Sequence, residues 1–216
     1  MPAADSAFAV SGGTVIDVRT GAHMANATVV VLKGRIQSVE GAGAHPMPRG
    51  MRVIDAKGKF IIPGLWDMHV EQALPVWDRA PVDSNARFFF PLLLAYGVTG
   101  VRDVAGPMPV LKRWRDDIER GTRLGPRITY SGPKLGTKPV AAGAPFPLKT
   151  DADVKASMKA LSAGGATGVY LMELSESLLP AAVQGARSNK LHVGGNLPPK
   201  IPLRTAVSSG INALDH

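Results

Sequence analysis

His69 and Glu71 stand one residue apart at the end of the segment Leu65-Trp66-Asp67-Met68-His69, and Asp215 and His216 are the last two residues given. Imidazoles and carboxylates are the side chains that ligate divalent metals and move protons near neutral pH. Further polar residues fall at the ends of apolar, strand-like runs: Arg102 and Asp103, Tyr130 and Ser131, Tyr170 and Glu173, and Asn196. If those runs lie side by side in a parallel barrel sheet, these residues converge on one mouth, as a metal site or an acid/base constellation. Arg102 and Asp103 are expected to orient each other as a structural ion pair. Asp67 is read as support for the first strand, and Tyr170 as a pocket residue rather than a proton donor. His23, His45 and His192 have no constellation around them and default to surface or strand-edge positions.

The elements that must position these groups come in two styles, which meet near residue 60. Before it, short β-branched runs alternate with turn signals: 9–17, 27–32, 36–39 and 52–55. Lys33-Gly34 sits between two such runs as a tight hairpin requires. Residues 1–60 are therefore expected to form a small antiparallel, β-sandwich-like module. Beyond it the pattern becomes strand, loop, helix. Strands are expected leading from Phe60-Ile61-Ile62 to His69, and at 98–103, 127–130, 168–172, 191–195 and 211–214. Helices are expected at 88–96, 108–120, 151–163, 178–186 and 203–209, with Thr150 capping the third. Repeated βα units predict an α/β fold, an incomplete (β/α) TIM-type barrel of about six strands over residues 61–216. Six strands are two short of closure, so three expectations stand: the chain is a fragment, or a second copy or a partner chain completes the barrel, or the sheet is open. The long loop 132–149 has no readable pattern.

Composition narrows the function classes. The chain has 216 residues, 45% of them hydrophobic and 19% charged, which suits a globular fold and not a disordered one. Its 24 glycines and 18 prolines argue against a helical bundle. The net charge of +8 is spread along the chain, and the densest basic run, Lys112 to Arg115, is followed at once by Asp116-Asp117. Nucleic-acid binding needs a clustered basic face, so it is not expected. The longest apolar run, Phe88 to Val98, is broken by Pro91, and a membrane span needs about 20 apolar residues. Residues 1–10 show no signal peptide. A soluble protein is expected, cytoplasmic or, after removal of a signal, periplasmic. With no cysteine there is neither a disulfide framework nor thiolate chemistry.

The block Pro63-Gly64-Leu65-Trp66-Asp67-Met68-His69-Val70-Glu71 resembles the metal-dependent amidohydrolase superfamily, in its imidazolonepropionase-like and prolidase-like branch. Gly13 to Asp17, Ile54 to Lys59, Tyr96 to Asp103 and Gly210 to His216 follow in the family's order, as far as its sixth barrel strand. The resemblance implies a hydrolase that attacks an amide, lactam or similar C–N bond with a metal-bound hydroxide. It also implies a ligand set: two histidines around one residue on strand one, a lysine on strand four, and histidines on strands five and six. Here His69 and His216 match, while the second strand-one position is Glu71, the lysine position is Tyr170 and the strand-five position is Asn196.

Three functions follow as expectations. The first is hydrolysis of a non-peptide C–N bond in a small molecule, with at most one divalent metal, zinc first, on His69, Glu71 and His216. The second is a non-catalytic pseudoenzyme or a truncated relative that keeps the fold as a binding or assembly module. The third is metal-free acid/base catalysis in the same mouth, with Glu71 or Asp215 as base. Tyr170, Asn196 and Arg102 would line the pocket in each case.

Overall fold

The structure, a computed structural model, describes residues 7–41, 50–74, 82–137, 146–196 and 201–216. It divides into two compact units, Met1–Gly64 and Leu65–His216. His45 and residues 138–145 of the long loop lie outside the described residues.

The β-branched runs of the first unit form one sheet. Its strands are β1 (Phe8–Ile16), β2 (His23–Leu32), β3 (Arg35–Glu40), β4 (Arg52–Asp55) and β5 (Phe60–Ile61). The hairpin between β2 and β3 turns on Lys33 (φ 52°) and Gly34 (φ 72°). Two successive positive φ angles give a two-residue turn the twist its strands need, and glycine takes the second without strain.

The sheet is mixed, not antiparallel as expected. β2 runs antiparallel to β1 and β3, whereas β4 and β5 run parallel to β1. β4 follows β3 in the chain yet pairs with β1 on the side away from β2, and such a return to the far edge brings a strand back in the parallel sense. Phe60-Ile61 belongs to this sheet and not to the βα series.

In the second unit β6 (Leu65–Val70), β7 (Val98–Asp103) and β8 (Arg127–Tyr130) form a parallel sheet in that order. A second parallel sheet holds β9 (Leu135–Gly136), β10 (Phe146–Pro147), β11 (Gly168–Leu171) and β12 (His192–Gly195), in the order β10-β9-β11-β12. The Thr167 N–H donates to the Tyr130 carbonyl at 2.9 Å and links the two sheets. Among the described residues these strands do not close into a barrel.

The expected strand 211–214 is not a strand. Asn212 and Ala213 both donate their N–H to the Val193 carbonyl, and the Asn212 side chain takes the Val193 N–H at 2.8 Å. A side chain thus occupies a ladder position, and regular pairing stops. The segment still runs beside β12, with the Asp215 N–H on the Gly195 carbonyl at 3.1 Å.

Among the described residues five α-helices accompany the strands: α1 (Val82–Ala95), α2 (Met108–Glu119), α3 (Asp151–Ala163), α4 (Leu179–Ser188) and α5 (Leu203–Ser209). None is long and apolar enough to cross a membrane. α1 begins six residues before the expected Phe88 and carries Pro91 in its interior. Asp83 in its first turn favours that start through the helix dipole. Its carboxylate also accepts the Trp114 indole N–H at 2.7 Å.

The core is built on Phe90, Val101, Leu111, Trp114, Ile128, Met158, Val169 and Val193, all buried, with Phe90 edge-on to Trp114 at 5.3 Å. The expected cap of α3 is present as a reciprocal pair, the Thr150 hydroxyl accepting the Asp153 N–H and the Asp153 carboxylate accepting that of Thr150. Thr150→Ala is expected to cost about 1 kcal/mol in urea unfolding, the usual value of a side-chain cap.

Candidate active site

A parallel strand delivers its last residues to one rim, and side chains alternate between its faces. β6 therefore carries His69 next to its last residue with Glu71 just beyond it, and β7 and β11 carry Arg102 and Tyr170 next to theirs. Asp67 supports the end of β6, its carboxylate accepting the His69 backbone N–H at 3.0 Å.

His69 is the centre of the cluster. Its Nδ1 lies 3.2 Å from Asp215 Oδ1 and its Nε2 3.6 Å from Glu71 Oε1. Its ring meets the Tyr170 ring edge-on at 5.7 Å and the His216 ring at 4.9 Å. Arg102 clamps Asp215 with two bonds, 3.1 Å to Oδ1 and 3.2 Å to Oδ2, and donates a third to the Met68 carbonyl. Burial pushes the Asp215 carboxyl up, but the bonds and charges of Arg102 and His69 outweigh it and hold it below the ordinary value. The Tyr170 hydroxyl donates to Asn196 Oδ1 at 2.6 Å. Burial first, then the negative charges of Asp215 and Glu71, push its phenol up to about 12, so it stays protonated.

Of the residues expected at the mouth from the sequence, His69, Glu71, Arg102, Tyr170, Asn196, Asp215 and His216 are thus brought to one region, whereas Asp103 and Tyr130 are not. Arg102 does not pair with Asp103, as expected from their adjacency. Successive residues of β7 face opposite ways, so Arg102 turns to Asp215. Asp103 is buried and accepts the N–H of Gln72 at 3.0 Å and of Ala105 at 3.1 Å. That holds the turn after Glu71. Tyr130 also points away from the cluster, bonding the Gly164 carbonyl at 2.8 Å.

One member of the site was not expected from the sequence. Lys134 places its Nζ 2.5 Å from Glu71 Oε1 and 5.4 Å from the centre of the Tyr170 ring. It comes from the loop whose pattern is unreadable, and the pairing of Leu135 with Leu171 brings it beside β11. An apolar cavity of about 310 Å³, lined by Met108, Leu135, Leu148 and Leu161, lies outside this charged cluster.

A divalent metal needs several free lone pairs converging on one point. Among the described residues no three His, Cys, Asp or Glu side chains are placed to hold such an ion. The donor chemistry explains why. Nδ1 of His69 faces a carboxylate that it bonds through a proton, Arg102 and Lys134 sit on the two carboxylates, and Tyr170 and Asn196 satisfy each other. The residues at the mouth do not fit the metal that the resemblance implies.

No family model matches the chain. Its sequence is 41% identical to a dihydroorotase from Pelotomaculum thermopropionicum over 66 residues, covering 31% of this chain and 14% of that protein. It is 31% identical to adenine deaminase 3 of Rhizobium meliloti over 113 residues, covering 47% of this chain and 19% of that one. Among solved structures a Xaa-Pro dipeptidase with methionine bound in its active site superposes with a TM-score of 0.80 at 20% identity, over 98% of this chain and 61% of that one. These likenesses bear out the resemblance to the amidohydrolase superfamily, and the fold is that of amidohydrolase structures.

The chain spans less than a fifth of each of those two curated proteins and about three fifths of that amidohydrolase-fold structure. An amidohydrolase fold thus carries a mouth in which Glu71, Tyr170 and Asn196 stand at positions where the family resemblance implies histidine, lysine and histidine.

Proposed function

We propose that this chain is the wall of an amidohydrolase-type (β/α) barrel whose mouth binds a small molecule bearing an amide, lactam or imide group without hydrolysing it through a metal. Its relatives are amidohydrolases acting on C–N bonds, which supports the ligand class. One observation carries the rest: both carboxylates facing His69 already hold a cationic side chain, Asp215 that of Arg102 and Glu71 that of Lys134. The two positive and two negative groups balance. What remains for a ligand is polar: the Tyr170 hydroxyl oxygen as an acceptor, the Asn196 amide N–H groups as donors and Nε2 of His69. Such groups match an amide, which offers one acceptor and often one donor.

The wall is read as six strand-like segments of an incomplete barrel, with 211–214 as an irregular sixth. β6 pairs only with β7 among the described strands, and it leaves Leu65, Trp66 and Met68 exposed. An open apolar edge of this kind is covered in a working protein. Further strands, from a longer polypeptide, a second copy or a partner chain, would cover it.

A second reading, hydrolysis of the C–N bond without metal, is favoured by the contact of His69 Nδ1 with Asp215. A carboxylate on Nδ1 orients an imidazole so that Nε2 can take a proton. Hydrolysis with one metal on His69, Glu71 and His216 requires Glu71 to give up Lys134.

The test exposes the chain to succinimide, pyroglutamate and N-acetylglycine, with and without zinc, while melting and product formation are followed. The expected result is a raised melting temperature with at least one probe and product at the uncatalysed level throughout. Zinc-dependent product would contradict the proposal. Product without zinc that disappears in His69→Ala would establish the second reading in its place.

A further inference from the structure

Lys134 stands out because two of the positions that the family resemblance assigns to metal ligation, 71 and 170, both face its ammonium. Glu71 pairs with it at 2.5 Å, and the Tyr170 ring lies beneath it at 5.4 Å. A carboxylate and an aromatic face are two of the surroundings that a bound cation selects. The side chain is only 16% exposed. Its backbone is tied down as well: Leu135 pairs with Leu171, the Met172 N–H donates to the Leu135 carbonyl at 2.8 Å, and the Thr137 N–H donates to the Glu173 carbonyl at 3.1 Å. Lys134 therefore enters the mouth from a paired segment.

We propose that the Lys134 ammonium is the resident cation of this mouth, covalently supplied by the chain and occupying the place of the divalent ion that the amidohydrolase resemblance implies. The proposal rests on the metal-free reading of the mouth and explains it. An ammonium neutralises Glu71 but has no vacant orbital for a water molecule or a carbonyl oxygen, so it activates neither. A divalent ion brought to Glu71 would meet a like charge within a few ångströms, at a partly buried site where that repulsion is weakly screened. With the ammonium removed, Glu71 Oε1 and His69 Nε2, 3.6 Å apart, become an oxygen and a nitrogen donor facing the same space. Those are donor types that zinc accepts.

The test is a calorimetric titration of zinc sulfate into the unmodified chain, Lys134→Met, Lys134→Arg and the double variant Lys134→Met with Glu71→Gln, each checked for folding by circular dichroism. Lys134→Met is expected to bind zinc about tenfold or more tightly than the unmodified chain. Lys134→Arg, which keeps the charge, is expected to show no gain, and the double variant is expected to lose the gain. Should Lys134→Met not fold, Lys134→Gln, which keeps a hydrogen-bond donor for Glu71, carries the same expectation. A folded neutral variant that binds zinc no better than the unmodified chain overturns this inference alone. Stoichiometric zinc on the unmodified chain overturns the metal-free reading as well.

Discussion

Asp103→Ala is expected to unfold about 3 kcal/mol more readily than the unmodified chain, since a buried donor left without a partner costs roughly 1–3 kcal/mol. Asp103 is 1% exposed, and its two oxygens hold the Gln72 and Ala105 N–H groups. Alanine would leave both donors buried and would free the turn that fixes Glu71. Urea unfolding at pH 7 reads the loss. Its pH dependence gives a second check. Burial pushes the Asp103 carboxyl from an ordinary 3.8 up to about 8, against the pull of the backbone N–H groups. Between those values the folded chain holds a proton that the unfolded chain releases, so this group makes stability fall as pH rises from about 4 to about 8. Asp103→Asn does not titrate, and the difference between it and the unmodified chain should change over that window and be flat below it.

Arg102→Leu is the second large effect, about 2–3 kcal/mol, because removing one partner strands a nearly buried charge. The Asp215 side chain is 9% exposed and would keep only His69. Asp215 lies below its ordinary value when folded, so its stabilising contribution is present above the unfolded value and is lost as pH falls through the folded one. The gap between unmodified chain and variant should therefore be full at pH 7 and should narrow in acid. Arg102→Lys keeps the charge but not the two-pronged contact, and should fall between them. Equal stability of Arg102→Leu and the unmodified chain at pH 7 would show that the clamp does not hold the mouth together.

Much of this was legible in the sequence. Apolar runs ending in polar residues fix where β6, β7, β11 and β12 stop, and strand ends of a parallel sheet share a rim. That was enough to bring His69, Glu71, Arg102, Tyr170, Asn196 and His216 together with Asp215. Local pattern failed where tertiary partners decide. Adjacency suggested Arg102 with Asp103, but strand alternation sends them to opposite faces. Ile211 to Leu214 look like a strand, yet the Asn212 side chain takes a ladder bond. The mixed sense of the first sheet depends on β4 and β5 pairing with β1, which no residue type encodes. Lys134 was missed for a similar reason: its place is set by a two-residue strand, Leu135–Gly136, too short to give a periodic signal.

The central claim is that internal ion pairs, and not a metal, hold the charges of this mouth. The most direct measurement is bound metal per chain by elemental analysis, on protein purified without chelators or a metal-affinity tag and then incubated with excess zinc. The ion pairs of Glu71 with Lys134 and of Asp215 with Arg102 predict metal below about a tenth of an equivalent per chain, because no free donor set remains to hold it. About one zinc per chain, lost in both Glu71→Gln and His216→Ala, would contradict it.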